Sequence, residues 1–201
     1  MNYKLLTFFF FLIFSSFLYS QSNFKKGYII SLQGDTLKGY IDYKESAKTP
    51  SKFVFKSLLE EKSIEYYTAH NTQKIVIEGY DLFESFEVLL SMNEIDYNNI
   101  EAEANPVKKK DTVFLKVISK GDRINLYSYR DQLKDRFFIL AVPQTMPEEL
   151  EFKIQKRDNQ LSAINTYRIQ LNQIASKYPD YTSELKSLIE SASYSRPDLK
   201  K

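Results

Sequence analysis

The sequence predicts an α+β protein: a predominantly antiparallel β body of hairpins and a meander, closed by a C-terminal helical pair. A change of hydrophobic period carries that prediction. Over residues 24–90, and again over 112–142, apolar and polar residues alternate with a period near two, as half-buried strands require. Past Pro143 and Pro147 the spacing lengthens, and Leu161, Ile164, Tyr167, Leu171, Ile174 and Tyr178 recur at helical intervals. Composition agrees, since 15 Tyr and no Trp suit strands with one buried face.

Ahead of the first strand lies a leader. Lys4 supplies a short positive start, residues 5–14 are apolar except for Thr7, and residues 15–20 turn semi-polar and end small. This is the tripartite plan of a secretory signal, with an apolar run about half of the ~20 residues that a bilayer-spanning helix needs. Residues 1–20 are therefore expected to be a signal peptide cleaved after Ser20. The mature chain is expected to be exported, as a periplasmic, outer-membrane-associated or secreted protein, with no transmembrane span of its own. The absence of Cys excludes disulfides and a leader lipid anchor, so stability must come from the core. About 180 residues can bury roughly 70% of their unfolded surface, enough for one unstapled domain.

The charge balance narrows the partners. The chain carries 28 Lys+Arg against 26 Asp+Glu, and the leader holds only Lys4, so the mature chain is within one charge of neutral. A groove that grips a phosphate backbone needs a one-sided basic surplus, so no nucleic-acid partner is expected.

Taken in order, residues 27–32 and 37–43 flank a turn centred on Gly34-Asp35, where glycine tolerates positive φ. With those two residues as the loop, Leu32 pairs with Leu37, Ile30 with Gly39 and Tyr28 with Ile41 on one mostly apolar face. Shorter strands follow at 53–55, 64–68, 74–78 and 82–90. Residues 91–110 are polar, hold Asn98-Asn99 and the Lys108-Lys109-Lys110 run, and read as a long mobile loop. A meander follows: residues 112–119, a turn through Gly121-Asp122, residues 124–129, a second turn over 130–135, and residues 136–142. The last of these strands contains Phe137-Phe138-Ile139-Leu140, which has no polar side and should be paired on both flanks. Gly121-Asp122 with Tyr127 echoes Gly34-Asp35 with Tyr40, as two hairpins of similar design. Residues 159–177 are expected to form an amphipathic helix stopped by Pro179, whose apolar stripe packs on the protein's own sheet. A shorter helix opens at Thr182-Ser183-Glu184-Leu185. The expected organisation is a signal peptide (1–20), a β-rich domain (21–156), the helical pair packed on it (157–194) and a disordered tail (195–201).

Gly27-Tyr28-Ile29 followed by Gly34-Asp35-Thr36-Leu37-Lys38-Gly39-Tyr40-Ile41-Asp42-Tyr43 resembles the opening of a group of secreted and outer-membrane-associated proteins from Bacteroidota. Leu126-Tyr127-Ser128-Tyr129 and Arg136-Phe137-Phe138 resemble the group's second landmark. The resemblance covers most of residues 24–175 and implies an N-terminal β-rich module that precedes an outer-membrane β-barrel in many members. Here the expectation is of the module without that barrel. Asp35-Thr36-Leu37 and Asp111-Thr112-Val113 also look like the Asp-Thr/Ser-apolar O-glycosylation acceptor of exported Bacteroidota proteins, which makes Thr36 and Thr112 candidate modification sites.

The chemistry is sparse. His70, the single histidine, sits in an expected loop, and without Cys there is neither a thiol nucleophile nor a structural zinc set. No Gly-x-Ser-x-Gly elbow supplies a serine nucleophile. Residues 93–101 offer acidic and amide oxygens but lack the glycine and alternating acids of a calcium loop, and Lys108 to Lys110 read as a solvated run beside Asp111. No catalytic, cofactor-binding or metal residue is assigned, and no cofactor is expected. The expected function is a non-enzymatic interaction module of the cell envelope, with an envelope protein or an outer-membrane barrel as its partner. The alternatives are a β-rich protein that binds a small molecule, glycan or lipid in a pocket lined by Tyr and Phe, and a carboxylate-dependent hydrolase with two buried acids facing one cleft.

Overall fold

A computed structural model describes residues 23–93, 107–157 and 160–201 of the chain. The leader with its Ser20 junction, and residues 94–101 of the acidic-amide loop, lie outside the described residues. The described molecule is mostly antiparallel sheet with three short helices. Its strands are β1 (Phe24–Ser31), β2 (Thr36–Asp42), β3 (Lys52–Lys56), β4 (Glu65–Thr68), β5 (Thr72–Ile77), β6 (Leu82–Ser91), β7 (Lys108–Lys120), β8 (Ile124–Arg130), β9 (Asp135–Ala141) and β10 (Glu148–Leu150). These ten form one sheet in the order β10-β9-β8-β7-β6-β5-β1-β2-β3-β4. A separate hairpin joins β11 (Lys153–Arg157) to β12 (Gln160–Ile164), followed by α1 (Thr166–Ala175), α2 (Ser183–Ser191) and α3 (Arg196–Leu199).

The first hairpin forms where expected but in a different register. Its loop is wider than Gly34-Asp35: the Ser31 hydroxyl accepts from the backbone N–H of Gln33 and of Asp35, both at 3.2 Å, and Gly34 takes φ +92. The observed partners are Ile30 with Thr36, Ile29 with Leu37 and Gly27 with Gly39. The expected pairs of Leu32 with Leu37, Ile30 with Gly39 and Tyr28 with Ile41 are therefore not made. Ile29 and Ile41 are fully buried, whereas Leu32 and Leu37 are exposed. The reason is tertiary, because β1 also pairs with β5, which brings Ile29 opposite Ile75 and selects the face that carries Ile29. Gly27 and Gly39 stand opposite each other, and a Cβ on either would lie 2.2 Å from a backbone oxygen of the next strand.

That close approach accompanies a strong roll. Phe53 of β3 lies 5.0 Å from Phe83 of β6 and 5.2 Å from Phe114 of β7, ring centre to ring centre. Four strand steps separate β3 from β6, a span of ~19 Å in a flat sheet. The sheet therefore curls over on itself, with Ile29, Ile41, Phe53, Phe55, Ile75 and Ile77 inside. The far half rolls the other way. Val88, Leu90, Leu115, Tyr127 and Phe138 form a second core on the opposite face of β6 to β9, and Ser91 of β6 meets Glu149 of β10. Because side chains alternate across a strand, β6 and β7 serve both rolls: Phe83 and Phe114 face the first, and Val88 and Leu115 the second.

The helices cover the remaining face of the second roll, where Tyr167 and Leu150 are buried with Ile118, Leu126, Phe137 and Ile139. Three expectations are corrected here. Helix α1 begins at Thr166 and not at 159, because residues 160–164 pair as β12 with β11, from Arg157 with Gln160 to Lys153 with Ile164. Leu161 and Ile164 fit a helical period, but Leu161 is 44% exposed, so no core face holds that stretch helical. The boundary drawn at 156/157 thus falls inside a hairpin. Residues 195–201, expected to be a disordered tail, include α3, whose Leu199 packs on the helical-layer core beside Tyr194. The second helix opens as expected, with the Thr182 hydroxyl accepting from Leu185 N–H at 3.3 Å. The long polar loop is shorter than expected at both ends, since Ser91 closes β6 and Lys108, Lys109 and Lys110 pair with Ser91, Leu90 and Leu89 at the start of β7.

Candidate functional site

One row of side chains crosses four strands between the first core and the core under the helices. Phe83 of β6 is opposite Lys116 of β7, Lys116 is opposite Ser128 of β8, and Ser128 is opposite Phe137 of β9. Cross-strand neighbours stand only ~5 Å apart, so the row forms a continuous floor. The floor ends under a wall on each side. On one side lie Tyr43 and the β2–β3 connection, on the other Tyr194 with Ser195 and Arg196 from the helical layer. The result is a cleft of about 420 Å³, rimmed by Arg130 and Asp135.

Each wall is tied down. Residues 43–51 run as a strap to the far half of the sheet, where Thr49 N–H donates to the Arg130 carbonyl at 2.9 Å and Arg130 N–H donates to the Thr49 hydroxyl at 3.0 Å. Lys48 Nζ donates to the Gln132 side chain at 2.5 Å. Tyr43 donates its phenolic hydrogen to Asp81, whose carboxylate also sits 2.7 Å from Lys116 Nζ. Burial first, and then the Asp81 hydrogen bond, push the Tyr43 hydroxyl well above its ordinary range, so it stays a donor. On the opposite wall Tyr194 is spliced between strands: Phe137 N–H donates to its oxygen at 3.1 Å, and its hydroxyl donates to the Leu150 carbonyl at 2.8 Å.

The other buried charges lie elsewhere. Burial pushes Glu84 up, yet hydrogen bonds from Lys120 (2.6 Å), Tyr127 (2.9 Å) and Lys74 together hold it below the ordinary carboxylate range. Arg136, fully buried, donates through Nε and Nη2 to the Ser91 carbonyl at 3.1 and 2.8 Å, and its Nη1 is 2.9 Å from Asp131. Together with the Ser91 N–H bond to Glu149 at 2.8 Å, this knot joins β6 to β9 and β10 where the second roll closes. A second hollow of about 490 Å³ lies between Gly121 and the helices, but its Arg123 is already 2.7 Å from Asp180 and stacked over Tyr178.

The residues singled out by sequence do not meet at the cleft. Thr36 is exposed at the start of β2, and Thr112 is half-buried in β7 opposite Glu87. His70 is exposed in the turn between β4 and β5. Lys108, Lys109 and Lys110 are not a free run: they pair with Glu151 at 2.6 Å, Asp111 at 2.7 Å and Glu87 at 2.7 Å. Among the described residues no group of three or more His, Cys, Asp or Glu is placed to hold a metal ion, and no helix is long and apolar enough to cross a membrane. Lys116, Ser128, Arg130, Tyr194 and Arg196 escaped the sequence reading. The one available signal was Lys116, a charge inside the apolar run Val113-Phe114-Leu115-Lys116-Val117-Ile118. Set against known protein families, curated proteins and solved structures, the chain matches none.

Proposed function

We propose that this chain is an exported, non-enzymatic binding module of the cell envelope, and that the cleft over Phe83, Lys116, Ser128 and Phe137 is its binding site. The cleft carries the reading. It is concave, it has aromatic residues in floor and walls, its polar groups come from both halves of the sheet, and its size falls within the roughly 300–1,000 Å³ of small-ligand pockets. The leader at residues 1–20 supports export, and the likeness of residues 27–43 to the Bacteroidota module supports an envelope setting. Against the hydrolase alternative, the buried acids Glu84 and Glu149 belong to cation-bound knots in the second roll and neither lines the cleft.

Native mass spectrometry of the untagged protein, isolated gently from its producing cells, tests this. A chain beginning at Gln21 with a bound partner or ligand mass is the expected result. A bare chain that gains nothing when envelope extract is added back overturns it.

A further inference from the structure

The cleft gathers more cations than the carboxylates beside them balance. Lys48, Lys116, Arg130 and Arg196 line it, against Asp135 as the one lining carboxylate. Lys116 is matched by Asp81 at 2.7 Å. Arg130 stands 3.4 Å from Asp135, but both side chains are about half exposed, so that pair is weak and exchangeable. Lys48 rests on the neutral Gln132 amide. Arg196 has no carboxylate partner among the described residues. Four cations against one carboxylate in the lining give the cleft a local positive charge in a chain whose formal charge is only +2.

The uncharged lining is hydroxylic. No described residue engages the Ser128 hydroxyl on the floor, and Ser195, at the start of α3, makes no capping bond with its side chain. Asp135 offers acceptors at the rim, and Phe83 and Phe137 supply apolar floor. A bare inorganic anion would use the cations alone. A peptide adding to a sheet would need a free strand edge, whereas the floor here is a row of side chains.

Resting on the binding-module reading above, we infer that the cleft takes the acidic end of a sugar. One ring bearing a carboxylate or phosphate would place its anion between the Arg130 and Arg196 guanidiniums, its hydroxyls on Ser128, Ser195 and Asp135, and its apolar face on the floor. Arginine forks suit either anion, because both present paired oxygens at matching spacing.

The test is calorimetric titration of the protein with four probes: glucuronic acid, glucose 6-phosphate, glucose and inorganic phosphate. The two acidic sugars should saturate one site and weaken with added salt, with glucose and phosphate each at least about tenfold weaker, the factor that ~1.4 kcal/mol represents. Binding by one acidic sugar alone would identify the anion as carboxylate or phosphate. In the double variant R130A/R196A, acidic-sugar affinity should fall by about thirtyfold or more, with the circular dichroism of wild type. K48E should weaken the same titration without touching the floor. No saturable binding, equal binding of glucose or phosphate, or full retention in R130A/R196A would overturn the inference. If acidic sugars fail while native mass spectrometry still shows a bound mass, only the ligand class falls. If the chain is bare in both experiments, the binding-module reading falls with it.

Discussion

Tyr194 shows how much one hydroxyl can decide. Where β9 and β10 part, the Phe137 N–H and the Leu150 carbonyl each bond to the Tyr194 oxygen, and the ring stacks on Phe152 at 4.9 Å between centres. A buried donor and acceptor left without partners cost about 1–3 kcal/mol each, whereas the ring contributes mainly area. Tyr194→Phe keeps the ring and removes the hydroxyl, so it should destabilise the fold by about 2–6 kcal/mol in urea unfolding with an unchanged m-value. A loss under ~0.5 kcal/mol would mean that the two strand groups close on each other directly. None of this was legible in Ala192-Ser193-Tyr194-Ser195, because the contact joins residues 44 and 57 positions apart.

At the scale of elements, the ends of the ten-stranded sheet are closed by side-chain amides. At β4, Thr68 N–H donates to Asn71 Oδ1 at 2.7 Å and Asn71 Nδ2 reaches the Tyr66 carbonyl at 3.4 Å. At β10, Glu151 N–H donates to Gln170 Oε1 at 2.8 Å and Gln170 Nε2 donates to the Glu149 carbonyl at 3.0 Å. In each case a carboxamide meets the N–H and C=O that a further strand would use, and both edge strands are short, four and three residues. Open edges template edge-to-edge association. The double variant N71A/Q170A should therefore self-associate more than wild type at equal concentration in sedimentation velocity, while keeping its far-ultraviolet circular dichroism. An unchanged sedimentation profile would show that strand length alone protects the edges. The amides could not be found from sequence: Asn71 is near its strand in the chain, but Gln170 comes from helix α1, whose start the 3.6-residue period misplaced by seven residues.

For the whole molecule, buried ionisable groups set a pH profile. Burial draws Lys134 down from 10.5 to about 8. Between those values the unfolded chain holds a proton that the folded chain has released, so stability rises with pH across that window. Burial also pushes Tyr127, Tyr43 and Tyr194 upward, and Tyr67 to about 12, from an ordinary value of 10.0. Above pH 10.0 the unfolded chain ionises these phenols and the folded chain does not, so stability falls. Lys108, held above its ordinary value by the Glu151 hydrogen bond, adds to that fall. At low pH, Glu84 and Asp131 titrate below their ordinary values of 4.5 and 3.8 because burial, which raises them, is outweighed by their hydrogen bonds, led by Lys120 on Glu84 and Arg136 on Asp131. Their stabilisation, present above those values, is lost as the pH drops beneath them. Thermal melts across pH should show Tm climbing from about pH 8 to 10 and then dropping steeply, and Lys134→Met should flatten the climb and leave the drop. A Tm that falls steadily from pH 8 would contradict the burial of Lys134.

The sequence by itself determined what depends on neighbours in the chain: alternation in β6, the meander of β7 to β9, the Gly34 turn and the Thr182 cap. Period, turn chemistry and capping act over a few residues, so they can be read locally. Register in the first hairpin, the opposite rolls of the two half-sheets and the strand at residues 160–164 were decided by partners tens of residues away. The candidate site belongs wholly to that second group. Phe83, Lys116, Ser128 and Phe137 become neighbours only through the pairing of four strands, and Arg130 and Arg196 come to line one cleft only when the strap and the helical layer dock on either side of that row. A strand pattern says which face a residue takes; only tertiary packing decides which residue stands beside it.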